Sequence, residues 1–127
     1  MGTATTLTVV DEKSRYIGGA ILPGVGLSLA ALAEGTALLP DVELQAPRRA
    51  IAANTVESMQ SGIVYGTAGS VDGLIDRFEA ELGRPAASII VTGGIGSVIA
   101  PHCHHDMILD ETLLLKGLGI IWKKNRK

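Results

Sequence analysis

Near the start of the chain, Gly2-Thr3-Ala4-Thr5-Thr6 sets a glycine beside three hydroxyl side chains. A glycine at the head of a strand lets a phosphate approach the backbone. Neighbouring threonine hydroxyls and amides can then donate hydrogen bonds to its oxygens. Taken alone, the segment reads more simply as a threonine-rich strand. Residues 1 to 6 also fit the N-myristoylation pattern, a short pattern that the strand reading displaces. A second cluster, His102-Cys103-His104-His105-Asp106, offers imidazoles and a thiol, both good Zn²⁺ ligands. Adjacent residues cannot all face one ion, and the sequence shows no second group of ligands. The segment is therefore expected to be a polar loop between the last strand and the last helix. No Walker A sequence is present. Gly24-Val25-Gly26 and Gly94-Ile95-Gly96 stop short of a dinucleotide fingerprint.

These residues must be positioned by elements that the pattern already outlines. Thr3 to Val10 is rich in β-branched residues and predicts a strand. Asp11 to Ser14 is turn-like, and Arg15 to Leu22 predicts the returning strand of a hairpin. Pro23-Gly24 breaks that strand, and the run from Leu27 to Ala33 suits a short helix ending near Gly35. Leu38 to Arg49, with Pro40 and Pro47, reads as a loop. A long helix is expected from about Val56 to Leu82, with Asn54 as its N-cap, Glu57 completing a capping box and Gly83 as its stop. Ala87 to Thr92 predicts a buried strand, and Gly93 to Gly96 turns it into a short helix over Ser97 to Ala100. Asp110-Glu111-Thr112 would open a final helix over Leu113 to Lys123, with Leu114, Leu118, Ile121 and Trp122 facing inward. Strands alternating with helices point to the α/β class.

Within the long helix, Gly62, Gly66, Gly69 and Gly73 recur at steps of four, three and four, so they share one face. Each interior glycine costs about 1 kcal/mol relative to alanine, so four cost about 4 kcal/mol. Either the segment is two helices broken near Gly66 to Gly69, or another backbone packs very close to that face. That backbone could belong to a two-fold partner or to the chain's own sheet.

The chain has 127 residues, one domain's worth, which is enough to hold a core. Hydrophobic residues make up 46% but aromatics only 3%, so the core is expected to be aliphatic. A net charge of −2 gives no case for nucleic acid, and the basic run from Lys123 to Lys127 reads as a solvated tail. Cys103 is the single cysteine, so no intrachain disulfide can form. The most apolar stretch, Ala20 to Ala33, is short and broken by Pro23, Gly24 and Gly26, so no membrane span or signal peptide is expected.

Gly2-Thr3-Ala4-Thr5-Thr6 resembles the Asp-x-Gly-Thr-Ala-Thr-Thr segment of type III pantothenate kinases. Gly18-Gly19-Ala20-Ile21-Leu22-Pro23-Gly24, Leu39-Pro40, Asn54-Thr55-Val56-Glu57-Ser58-Met59-Gln60-Ser61-Gly62 and Thr92-Gly93-Gly94 keep pace in order and spacing. The resemblance covers nearly the whole chain and implies the C-terminal half of a duplicated ribonuclease-H-like fold, as in actin, sugar kinases and chaperone ATPases. It implies ATP-dependent phosphorylation of pantothenate, the first committed step towards coenzyme A, in a cytoplasmic bacterial homodimer. It also implies Mg²⁺ and a monovalent cation, K⁺ or NH₄⁺. By this resemblance Gly2, Thr3 and Thr5 would face the ATP phosphates, Thr55 would contact pantothenate, and Thr92, Gly93 and Gly94 would lie beside the adenosine. The glycine stripe would fall near the family's dimer contact.

The chain also departs from the family pattern. Neither the first phosphate motif, Asp-x-Gly-Asn-Thr, nor the Gly-x-Asp-Arg segment with the catalytic Asp occurs in it. The Asp that helps hold the monovalent cation, two residues before the Gly, has no position either. Gly73-Leu74-Ile75-Asp76-Arg77 is one residue too long for the catalytic segment, and Asp76 reads as an exposed helix charge. A strand that begins almost at residue 1 is expected to follow an N-terminal domain that is absent here. The chain by itself is therefore expected to be inactive, with a separate N-terminal half as one partner. The family also includes proteins described as accessory factors in transcription. A non-catalytic nucleotide-binding or regulatory dimerisation module thus stays open beside the kinase.

Overall fold

The computed structural model describes residues 1–2, 4–35 and 42–126. Thr3 and the Leu39-Pro40 motif lie outside the described residues. The chain opens on a hairpin of β1 (Ala4–Val10) and β2 (Tyr16–Pro23), paired antiparallel. Thr5 faces Leu22 and Val9 faces Gly18, but Val10 faces Tyr16, so Ile17 is the extra residue of a bulge. The turn is held by Asp11, whose carboxylate accepts the Lys13 and Arg15 amides, each at 2.9 Å. The Arg15 amide in particular keeps the Asp11 carboxyl below its ordinary range. Gly19 is required across the hairpin: a Cβ there would run into the Leu7 carbonyl, 2.8 Å from its carbon.

Helix α1 (Val25–Gly35) follows Pro23-Gly24, and α2 (Thr55–Leu82) runs unbroken for 28 residues. The Asn54 side chain accepts the Glu57 amide at 2.9 Å and donates to the Glu57 carboxylate at 3.2 Å, so the expected capping pair forms. Gly83 ends the helix at φ 73°, donating its amide to the Glu79 carbonyl. Met59, Ile63, Val64, Ala68, Val71 and Ile75 form the buried stripe of α2. Ile63, Val64 and Ala68 pack with Val25 and Ile99 into the core, as an aliphatic composition requires. Three side chains of α2 also hold the segment before it. Gln60 donates to the Glu43 carbonyl at 3.1 Å, Ser61 to Ala50 at 2.6 Å and Tyr65 to Pro47 at 3.2 Å. The helix is not two broken pieces. Among the described residues its glycine stripe does not meet the sheet: a Cβ at Gly62, Gly66 or Gly69 would stand in open space, and one at Gly73 would meet the Arg77 guanidinium.

After α2 the sequence-based expectations need correcting. The strand predicted over Ala87 to Thr92 is only β3 (Ile90–Val91), and Ile90 is 51% exposed instead of buried. Its partner is β4 (Ile108–Leu109), a parallel neighbour within the stretch read as loop. Two residues of pairing on one edge cannot extend or cover a strand. Between them lie α3 (Gly96–Ile99) and a single 3₁₀ turn, Ala100–His102. The last helix, α4 (Leu113–Asn125), forms as expected, but its apolar face is not inward. Leu114 is 73% exposed and Trp122 60%, and Leu118 and Ile121 are also exposed. Helical periodicity shows that a helix has an apolar face, not what covers it. Asp110 and Glu111 precede the first turn of α4 instead of occupying it. Asp110 accepts the Thr112 amide at 3.1 Å and pairs with Lys116 at 2.8 Å, and the Lys116 ammonium lowers its carboxyl pKa.

The architecture is α/β, a β-hairpin with packed helices and a second, parallel pair of strands. Among the described residues no helix is long and apolar enough to cross a membrane.

Asn54→Ala removes the cap of the element on which the core is built. It is expected to cost about 1 kcal/mol of stability, read as a lower urea midpoint at unchanged m-value. The Cys103 thiol, packed against the core, is pushed up to about 11 by burial and then by the Asp72 carboxylate. Alkylation by iodoacetamide at pH 8 is therefore expected to be far slower in the folded chain than in urea, because the thiolate is the nucleophile. Equal rates in the two states would contradict the packing around Cys103.

Candidate functional site

The start of the chain and the turn after β3 are joined. The Met1 amino nitrogen donates to the Thr92 carbonyl at 2.6 Å, across 91 residues of sequence. Gly93, at φ 97°, sits directly against Met1: a Cβ there would stand 2.6 Å from the Met1 nitrogen. Both the left-handed backbone and the close approach therefore demand glycine at this position. Gly96 closes the same turn by donating to the Gly93 carbonyl at 3.1 Å, and the Ser97 hydroxyl donates to the Gly94 carbonyl at 3.3 Å. Gly96 also has no room for a side chain, because Val91 lies 2.6 Å from where its Cβ would be.

Of the residues expected to face ATP, Gly2, Thr92, Gly93 and Gly94 come together in this way, with Gly2 and Gly94 exposed. The Gly2 amide is not free, since it donates to the Ala4 carbonyl at 3.2 Å. Thr3 lies outside the described residues. Thr5 is buried on β1, and among the described residues its hydroxyl has no hydrogen-bond partner, an unusual state for a buried polar group. A ligand atom that accepted or donated there would relieve that cost.

Thr55 stands at the first position of α2, exposed, because Asn54 starts the helix there. Among the described residues its hydroxyl makes no hydrogen bond, as the capping is done by Asn54 and Glu57. It opens onto a hollow of about 520 Å³ lined by Leu32, Ala52, Ala53, Ser58 and Met59 as well. The hollow is broadly open to solvent and combines apolar side chains with the hydroxyls of Thr55 and Ser58 and the amide of Asn54.

Residues 103–107 form a loop, as expected, but the expectation that no second group of ligands meets it is corrected by the carboxylates of α2. Asp72 of α2 accepts the backbone amides of His104 at 2.8 Å and His105 at 3.3 Å. Asp76, exposed as expected, sits with its carboxylate 2.6 Å from His105 Nε2. The helical spacing of Asp72, Asp76 and Glu79 was the available signal, but only the fold shows which loop crosses it. Met1 is a further residue that sequence reasoning missed: nothing in the sequence ties it to Thr92. Thr5 was named, but no pattern marks its hydroxyl as unpartnered among the described residues.

A profile of the type III pantothenate kinase family matches residues 1–77. The type III pantothenate kinase of Rubrobacter xylanophilus is 46% identical over 98% of this chain and 49% of its own length. That of Moorella thermoacetica is 45% identical over 98% of this chain and 48% of its own. The chain thus spans about half the length of the curated relatives it matches. Among solved structures, a Campylobacter jejuni protein described as a conserved Baf family transcriptional activator superposes with a TM-score of 0.70 at 24% identity. It covers 97% of this chain and 54% of its own. With the family profile lying over most of the chain and close relatives over nearly all of it, the protein belongs to the type III pantothenate kinase family.

Proposed function

We propose that this chain forms the nucleotide- and pantothenate-binding wall of an ATP-dependent pantothenate kinase, as one half of a ribonuclease-H-like fold. The observation that carries the reading is the union of Met1-Gly2 with Thr92-Gly93, residues that the family motifs assign to one nucleotide. The orphaned Thr5 hydroxyl beside that start of β1 supports a ligand at the phosphate end. Phosphoryl transfer rests on positioning and on charge stabilisation from both sides of the nucleotide. The chain supplies glycine backbone and threonine hydroxyls on one side. The motifs with the first phosphate contact and the catalytic Asp are not in its sequence.

The groups at this site are glycines, threonine hydroxyls and a backbone carbonyl, with no carboxylate among them. By themselves they do not fit Mg²⁺, so in this reading Mg²⁺ arrives with ATP, and the monovalent cation requires the carboxylate of the family motif. The partner is a second copy, or an N-terminal half supplied separately, in the cytoplasm. The open glycine face of α2 supports a two-fold dimer, since among the described residues nothing lies within 4 Å of where a Cβ at Gly62, Gly66 or Gly69 would stand. The non-catalytic alternative draws on one observation, the fold shared with a protein described as a transcriptional activator.

Three measurements test the proposal. The 127-residue chain alone, given ATP, Mg²⁺, K⁺ and pantothenate, is expected to turn over far below the ~10 per second of a typical enzyme. Turnover near that rate would overturn the assignment of one wall only. In an enzyme carrying both halves, Thr55→Ala is expected to raise KM for pantothenate much more than KM for ATP. Equal changes in both would remove Thr55 from the substrate site. Gly66→Leu is expected to give a folded monomer by sedimentation with its helical circular dichroism retained. A stable dimer in that variant would exclude the glycine face as the contact.

A further inference from the structure

Asp72, Asp76 and Glu79 follow one another along α2 at steps of four and three, which sets them on one stripe of the helix. Among the described residues none of the three is paired with a lysine or an arginine. The groups that meet them are histidines from the loop 32 and 33 residues further on. His105 Nε2 lies 2.6 Å from the Asp76 carboxylate, and His104 Nε2 lies 3.6 Å from that of Asp72. The ligand atoms of Asp76, Glu79 and His105 all lie within 4.8 Å of one another, as do those of Asp72, His104 and His105.

We propose that Asp76, Glu79 and His105 form a site for a divalent transition-metal ion, with Asp72 as the residue that positions the loop. Asp72 is 4% exposed and spends its carboxylate on the backbone amides of His104 and His105, which fixes the loop against the helix. That anchoring leaves the His105 side chain 17% exposed and turned towards Asp76. A surface His–Asp pair alone would need neither the buried Asp72 nor a second carboxylate one turn along. One imidazole with two carboxylates is a borderline donor set, suited to Zn²⁺, Co²⁺ or Mn²⁺; Mg²⁺ prefers oxygen alone and keeps its waters. Donors around one Zn²⁺ sit about 3.3 Å apart, so Glu79 swings in and Asp76 opens from its 2.6 Å contact with His105, both by side-chain rotation. Glu79 holds the Ala86 amide at 2.9 Å through Oε1, which leaves its other oxygen for the ion. Water completes the coordination. An ion here would also relieve three neighbouring carboxylates that, among the described residues, no lysine or arginine offsets.

The test uses the whole 127-residue chain without a histidine tag. Calorimetric titration with Zn²⁺ is expected to give one saturable site per chain that millimolar Mg²⁺ does not displace. Co²⁺ is expected to show visible absorption bands of inner-sphere coordination. His105→Ala and Glu79→Gln should each weaken Zn²⁺ binding by more than about tenfold. His102→Ala should leave it unchanged, since that ring stands edge-on to Tyr65 at 5.2 Å, away from the cluster. Circular dichroism of each variant separates loss of ligand from loss of fold. Three results would overturn the site: no saturable Zn²⁺ binding in the parent chain, binding unchanged in folded Glu79→Gln, or an equal loss in His102→Ala.

Discussion

Helix α2 is the constraint on which the other elements depend. Its buried stripe supplies Ile63, Val64 and Ala68 to a core that otherwise draws single residues from α1 and α3. Its polar side chains hold the preceding segment by the carbonyls of Glu43, Pro47 and Ala50. Further along, Asp72 holds the loop at His104 and His105. A helix this long, about 42 Å at 1.5 Å per residue, crosses the whole unit. It can therefore fix the hollow at Thr55 near one end and the histidine loop well along its length. The residue after its C-cap, Arg84, pairs with Glu12 of the hairpin turn, so β1 and β2 are referred to the same axis.

What could be read from the sequence follows from which forces are local. Asn54, Glu57 and Gly83 mark the ends of α2 because caps are satisfied by residues three or four away. The hairpin was legible from its β-branched run and from Asp11, whose turn bonds reach only to Arg15. The bulge at Ile17 was not, since it is a property of register between two strands. Leu114, Leu118, Ile121 and Trp122 have the periodicity of a packed face, yet whether a face is covered is decided by a neighbour. Ile90 and Ile108 pose the same difficulty: an apolar run announces a strand but not how many partners it finds. At the candidate site, the family motifs named Gly2, Thr92 and Gly93, which the fold brings together. The Met1 to Thr92 contact and the solitary hydroxyl of Thr5 needed coordinates.

The apolar surface left open has a consistent distribution. Ile21 on the hairpin, Ile108 on the second pair of strands, and the face of α4 are all apolar and exposed. Isolated exposed apolar residues are ordinary, but a helix face with four of them is a surface of the kind that proteins use for contact.

The bond from Met1 to Thr92 has a consequence for the order in which the molecule assembles. Closing a loop of 91 residues costs about 4 kcal/mol of chain entropy, whereas the caps of α2 and the turn at Asp11 close over three or four residues. Local elements are thus in place before Met1 and Thr92 can meet. Gly93 then leaves the gap into which Met1 fits. In this molecule that contact is an outcome of folding and contributes little to starting it, so its integrity reports on the elements that lie between the two residues.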